Sequence, residues 1–121
     1  MQARRLLIVE DELILAMDLK DRLNDLGYTV VDTVSTGEAA VAAARGLLPD
    51  LILMDIRLAG RMDGIAAARE IRSLHDIPVI FMSAYADEET RQQSLTAQPA
   101  GFLSKLANDR ELLTGIEAAL G

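Results

Sequence analysis

In Leu51-Ile52-Leu53-Met54-Asp55, four consecutive apolar residues run into a carboxylate. The run is too short for a helix and reads as a buried strand. A strand that stops at an acid delivers it to the sheet edge, where loops gather and ligands bind. Three other runs break in the same way: Leu6-Leu7-Ile8-Val9 is followed by Glu10-Asp11, Val79-Ile80-Phe81-Met82 by Ser83, and Gly101-Phe102-Leu103-Ser104 by Lys105. Four apolar runs therefore end in polar groups able to meet at one edge.

Outward from these runs, short apolar segments alternate with longer amphipathic ones. Strands are expected at Arg5–Val9, Thr29–Thr33, Leu51–Met54, Val79–Met82 and Gly101–Leu103. Leu13, Met17, Leu19, Leu23 and Leu26 recur at near-helical spacing, with Gly27 as a stop. Thr36 offers an N-cap to an Ala-rich helix over Gly37–Leu48, which ends before Pro49. Asp63-Gly64 opens a third helix, Asp87–Leu95 forms a weaker fourth, and Asp109–Leu120 a fifth, capped by Asn108 or Asp109. Five βα repeats imply an α/β fold, a parallel sheet covered by helices on both faces. Right-handed crossovers leave few topologies, and the natural one is a doubly wound five-stranded sheet in the order 2-1-3-4-5, a flavodoxin-like (βα)5 fold. Its switch point lies between the first and third strands, which puts Glu10-Asp11 beside Asp55.

A chain of 121 residues fits one domain with room for a layered core. No apolar stretch approaches the roughly 20 residues that span a bilayer, so no membrane association is expected. Arg4-Arg5 leads straight into a strand-like run without a cleavage site, so no signal peptide is expected either. Without cysteine there is no disulfide framework and no thiolate metal site; a cytoplasmic location is the default expectation. The net charge of −7 lacks the positive surface that nucleic acid requires, and two Phe with two Tyr cannot build a stacking platform.

Carboxylates gathered at one sheet edge repel one another unless a cation is present. Hard divalent ions take oxygen ligands, and Glu10, Asp11 and Asp55 supply them with no Cys or His competing. Lys105 adds a mobile positive charge suited to a phosphoryl oxygen, and Ser83 a hydroxyl donor. Carboxylate nucleophile, divalent cation, hydroxyl and lysine together describe phosphoryl transfer onto an aspartate. Each piece has a plainer reading taken singly: an N-cap, a helix-dipole partner, a turn residue, a surface charge. Their coincidence at successive strand ends favours a site.

On these residues the chain resembles, over essentially its whole length, the receiver domain of bacterial two-component response regulators. The order matches: an acidic pair after strand one, an aspartate after strand three, Ser83-Ala84 after strand four and Lys105 after strand five. The resemblance implies that Asp55 accepts a phosphoryl group from a sensor histidine kinase or a histidine phosphotransfer protein. It implies magnesium (or manganese) held directly by Asp11 and Asp55, largely through water by Glu10, and by the backbone carbonyl of Arg57. Ser83 corresponds to the switch hydroxyl and Phe102 to the aromatic switch, whose ring turns inward on activation. The surface of helix four, strand five and helix five would then meet an output domain, a partner protein or a second copy of the chain. Such domains catalyse their own aspartyl phosphorylation and dephosphorylation, with no separate substrate turnover expected. The 121 residues read as a receiver domain without an output domain, either a stand-alone regulator or a piece of a longer protein.

Departures from the pattern fall beside the site. The family's Lys-Pro is Lys105-Leu106 here, and a cis bond without proline costs about 2.5–4 kcal/mol, so a trans bond or a reshaped loop is expected. The loop from Ile56 to Gly64 is one residue longer than in the commonest receivers, with Ala59 in place of its proline. Thr96-Ala97-Gln98-Pro99-Ala100 replaces the usual Gly-containing turn before strand five. Arg57 and Tyr85, two residues beyond Asp55 and Ser83, are candidates for shielding an acyl phosphate from water; the plainer reading is two surface residues. His75 reads as a solvated loop residue and Ala39–Ala44 as a helix packed closely on the sheet. Two rival functions remain at this level. A haloacid-dehalogenase-type phosphatase shares the nucleophile, Ser and Lys, but expects a second Asp where Arg57 stands. An interaction module that works without phosphorylation would retain only the fold.

Overall fold

The computed structural model describes residues 3–84 and 87–121. Its elements are β1 (Arg5–Val9), α1 (Leu13–Asp25), β2 (Thr29–Val34), α2 (Gly37–Leu47), β3 (Leu51–Asp55), α3 (Gly64–Leu74), β4 (Val79–Ser83), α4 (Glu88–Leu95), β5 (Gly101–Ser104) and α5 (Asp109–Leu120). All strand pairs are parallel and the sheet order is β2-β1-β3-β4-β5, as the alternation implied. The central strands are buried on both faces, which is why they read as unbroken apolar runs and not as an alternating pattern.

Alternate side chains feed two cores. Leu7, Val9, Ile52, Met54, Val79 and Phe81 pack with Ala40 and Ala44 of α2 and Ile65, Ala68 and Ile71 of α3. Leu6, Ile8, Leu51, Leu53, Ile80 and Met82 pack with Leu19 and Leu23 of α1 and Leu112 and Ile116 of α5. The alanines of α2 present no bulk, so that helix lies close to the sheet, as its composition suggested.

Register then sets the levels of the polar residues. Val9 pairs with Met54, so Glu10 falls level with Asp55. Asp55 pairs with Met82 and Ser83 with Ser104, so Ser83 lies one step beyond Asp55 and Lys105 one step beyond that. The polar residues thus form a staircase along the carboxyl edge. β2 to β5 each run one residue past the expected end, because the ladder closes before the chain turns. Asp55 and Ser83 are therefore strand residues, fixed by sheet hydrogen bonds.

Helix starts follow their caps. The Thr36, Asp63, Asp87 and Asn108 side chains each accept from the backbone N–H three residues on. Of the two candidates for α5, Asn108 is the cap, closed into a capping box by Glu111. The turn before β5 has no glycine, and Gln98 takes the left-handed conformation there, at φ 52°. His75 departs from expectation: it is half-buried, with Nε2 lacking a hydrogen-bond partner among the described residues.

Candidate functional site

Asp55 is the last residue of β3 and only 6% exposed. The course of the chain beyond it is shaped by Gly64, the first residue of α3. A Cβ there would collide with the Asp55 carbonyl oxygen, and the Gly64 N–H donates to the Ile56 carbonyl at 2.8 Å. Helix α3 thus seats directly against the strand end, and the loop between them must bulge outward. Its far side is tied to α2: Ala59 forms a β-bridge with Thr36, and Glu38 Oε1 accepts from the Met62 N–H at 3.0 Å. Gly60, at φ 98°, makes the turn between those two ties. The longer loop is a fastened one.

Glu10, Asp11 and Asp55 converge, with carboxylate oxygens within 4.8 Å of one another, the one such group among the described residues. Glu10 and Asp55 are buried at their side chains and Asp11 is exposed. Lys105 Nζ donates to Glu10 Oε1 and to Asp55 Oδ2, both at 2.9 Å. The other Asp55 oxygen, Oδ1, accepts from the Arg57 N–H at 3.3 Å. Burial pushes the Glu10 carboxyl above its ordinary value, against hydrogen bonds from Lys105 and the Glu12 N–H, and the Asp55 charge adds to the rise. Burial alone would lower the Lys105 ammonium, but hydrogen bonds and charge from Glu10 and Asp55 outweigh it and hold it above the usual lysine value. One ammonium thus offsets part of the repulsion among three carboxylates.

The donor set is entirely oxygen and carries more negative charge than Lys105 neutralises, which fits a hard divalent cation better than a softer metal. Arg57 follows Asp55-Ile56 at the start of the loop to α3. Its guanidinium reaches outward, 3.7 Å from Asp87, the N-cap of α4.

Ser83 ends β4, half-buried, and its carbonyl accepts from the Lys105 N–H at 3.1 Å. With Ile56, Ala84, Asp87 and Phe102 it lines a cavity of 320 Å³ between β4, β5 and α4. Phe102 borders that space, 36% exposed, its ring centroid 6.0 Å from that of Phe81. The Arg91 guanidinium sits 5.4 Å over the Phe102 ring, a contact that sequence reading missed, since it depends on how α4 lies across β5. Tyr85 lies outside the described residues. The Lys105-Leu106 bond is trans, as expected without proline, and Leu106 is 91% exposed. A second omission of the sequence reading is Arg22 of α1, which bonds to the Ala107 carbonyl and to Asp109 just past Lys105. Spacing within α1 gave no sign of it.

The response regulator receiver domain family model matches residues 6–117. The transcriptional regulatory protein PdtaR of Mycobacterium tuberculosis is 35% identical over 117 residues, covering 97% of this chain and 57% of that protein. The transcriptional regulatory protein YdfI of Bacillus subtilis is 31% identical over 118 residues, covering 96% of this chain and 54% of that protein. The chain therefore spans about half the length of these curated relatives. Among solved structures, the signal receiver domain of a modulated diguanylate cyclase from Desulfovibrio desulfuricans matches with TM-score 0.92 and 36% identity, over 98% of this chain and 94% of that one. The receiver domain of a sensor histidine kinase from Pseudomonas aeruginosa, with a magnesium ion coordinated in its active-site cleft, matches with TM-score 0.89 and 33% identity, over 98% of each chain. With the sheet order, the strand-end acids and the bridging lysine all in register, this chain belongs to the receiver domain family of two-component response regulators.

Proposed function

We propose that the chain is a phosphorylation-controlled switch in which Asp55 accepts a phosphoryl group from a histidine of a sensor kinase or phosphotransfer protein. The observation that carries this is the buried Asp55 carboxylate, bonded to Lys105 and grouped with Glu10 and Asp11. A carboxylate oxygen of Asp55 attacks phosphorus, the phosphorus–nitrogen bond breaks, and the imidazole nitrogen keeps the electron pair. Asp11, Asp55 and the Arg57 carbonyl, with Glu10 acting largely through water, would hold magnesium, which would supply positive charge against the phosphoryl oxygens. Lys105 gives up a carboxylate oxygen for a phosphoryl oxygen, and Ser83 donates its hydroxyl to another. The cavity beside Ser83 leaves room for Phe102 to turn inward, which would carry the change to the face of α4, β5 and α5.

Partners are implied by that reading: a kinase or phosphotransfer protein at the site, and an output domain, partner protein or second copy at the α4–β5–α5 face. The domain would catalyse its own phosphorylation and dephosphorylation in the cytoplasm. Among the described residues no helix is long and apolar enough to cross a membrane. Arg57 would lengthen the life of the acyl phosphate by screening it, with Arg57→Ala speeding dephosphorylation. A phosphatase reading gains nothing here, since Arg57 cannot act as the general acid which that chemistry needs two residues past the nucleophile.

The test is incubation with magnesium and acetyl phosphate, followed by intact-mass measurement. Wild type should gain one phosphoryl group and Asp55→Asn none. No gain by wild type, with no spectral change on adding beryllofluoride, would leave the interaction-only module as the better account.

A further inference from the structure

Arg22 stands in the last turn of α1, yet its side chain crosses to the loop that carries Lys105. Nη2 donates to the Ala107 carbonyl at 2.7 Å and Nε to Asp109 Oδ1 at 2.7 Å, with Nη1 3.7 Å from Asp18. The side chain is 25% exposed, so this is not a freely solvated surface pair. Both strong bonds land just past Lys105, on the far side of Leu106, which projects into solvent.

Lys105 is held upstream by its N–H bond to Ser83. Downstream, Leu106 lacks the ring that would stiffen the chain; its N–H donates to Ser104 Oγ and the Ala107 N–H to the Ser104 carbonyl, both at 3.0 Å, and Ala107 is buried against α1 and α5. Arg22 fastens that point. Its planar fork serves a carbonyl and a carboxylate at once, which a lysine ammonium on a flexible stem does less well. Arg22 and Lys105 also line one small cavity with Glu10, Asp18, Leu19 and Met82. A lysine reaching two carboxylates through four methylenes is aimed only as well as its Cα is fixed.

We propose that Arg22 is a positioning residue for Lys105: by pinning Ala107 and Asp109 to α1 it holds the loop so that the ammonium meets Glu10 and Asp55. The functional half of this rests on the reading of Lys105 as the group that meets the phosphoryl oxygens at Asp55. The structural half stands without it.

The chain has two lysines, Lys20 and Lys105, so lysine-selective nitrogen-15 labelling gives a simple ammonium spectrum, in which Lys105→Met identifies the Lys105 signal. Arg22→Gln should broaden or shift that signal as the ammonium exchanges with water. In the presence of magnesium and acetyl phosphate, Arg22→Gln should slow Asp55 phosphorylation about 10-fold, within the loss that an ångström of misplacement produces. In a Lys105→Met background the same change should alter the rate by less than about 2-fold, because nothing is left to position. Arg22→Lys should not restore the rate. If Arg22→Gln fails to fold in a urea titration, Asp109→Asn, which weakens one of the two bonds, should move the signal and the rate in the same direction by less. An unchanged ammonium signal, or equal slowing with and without Lys105, overturns the proposal. If wild type takes no phosphate, the phosphoacceptor reading falls, and the ammonium signal alone decides for or against Arg22.

Discussion

A carboxylate as deeply buried as Asp55 costs a fold several kcal/mol unless its charge is met. The Lys105 ammonium meets it at 2.9 Å and is itself kept charged by Glu10 and Asp55. Both residues were legible in the sequence as polar ends of apolar runs. Their 2.9 Å contact was not, since Lys105 is fifty positions away and its reach depends on a backbone anchored elsewhere. Tyr28 makes a comparable long-range contact away from the site. Its buried hydroxyl donates to Glu117 Oε1 at 2.5 Å, and burial, with the Glu117 hydrogen bond and charge, pushes the phenol well above its ordinary value. A raised value means that the folded state keeps the proton after the unfolded state has released it. The contribution is complete below about pH 10 and is lost as pH rises from there through the raised value. Tyr28→Phe should therefore cost about 1 kcal/mol at pH 7. That margin should shrink by pH 11 in urea unfolding; a margin that stays constant speaks against the linkage.

Elements were readable where local chemistry sets them and blurred where packing does. The caps of α2 and α3 were visible at Thr36 and at Asp63-Gly64 as residue types. Strand ends were not, because the final ladder bond of each strand depends on its neighbour. The role of Gly64 was also hidden: it reads as an ordinary residue behind a cap, but its missing Cβ lets α3 seat on the Asp55 carbonyl. Gly64→Ala should destabilise the protein by about 3 kcal/mol or more, through forced displacement of backbone. It should also impair phosphorylation at Asp55; a urea midpoint like that of wild type would refute the close approach. At α4, Asp87 both caps the helix and pairs with Arg57. Asparagine caps as well as aspartate, so Asp87→Asn should leave the amide exchange of Glu88–Leu95 as in wild type, whereas Asp87→Ala should speed it several-fold. Equal exchange in both variants would show that the cap contributes nothing.

The whole molecule gathers three acids against one lysine, a net negative site in the folded state only. A divalent ion that binds there should stabilise the fold in proportion to its occupancy, by about 2.7 kcal/mol at a hundredfold excess over Kd. Magnesium should accordingly raise Tm by several degrees in wild type and much less in Asp11→Asn, and an equal rise in that variant would place the ion elsewhere. The alternation of apolar runs and amphipathic stretches by itself determined the α/β class, the parallel sheet and its order, because short buried strands and right-handed crossovers leave few other arrangements. It also determined which residue types stand at the strand ends. Only the tertiary structure decided how those residues meet: the one-step register between β3, β4 and β5, the seating of α3 on Asp55, and the Arg22 tie behind Lys105. Those depend on contacts between segments far apart in the chain, whose geometry is set by packing and has no trace in local pattern.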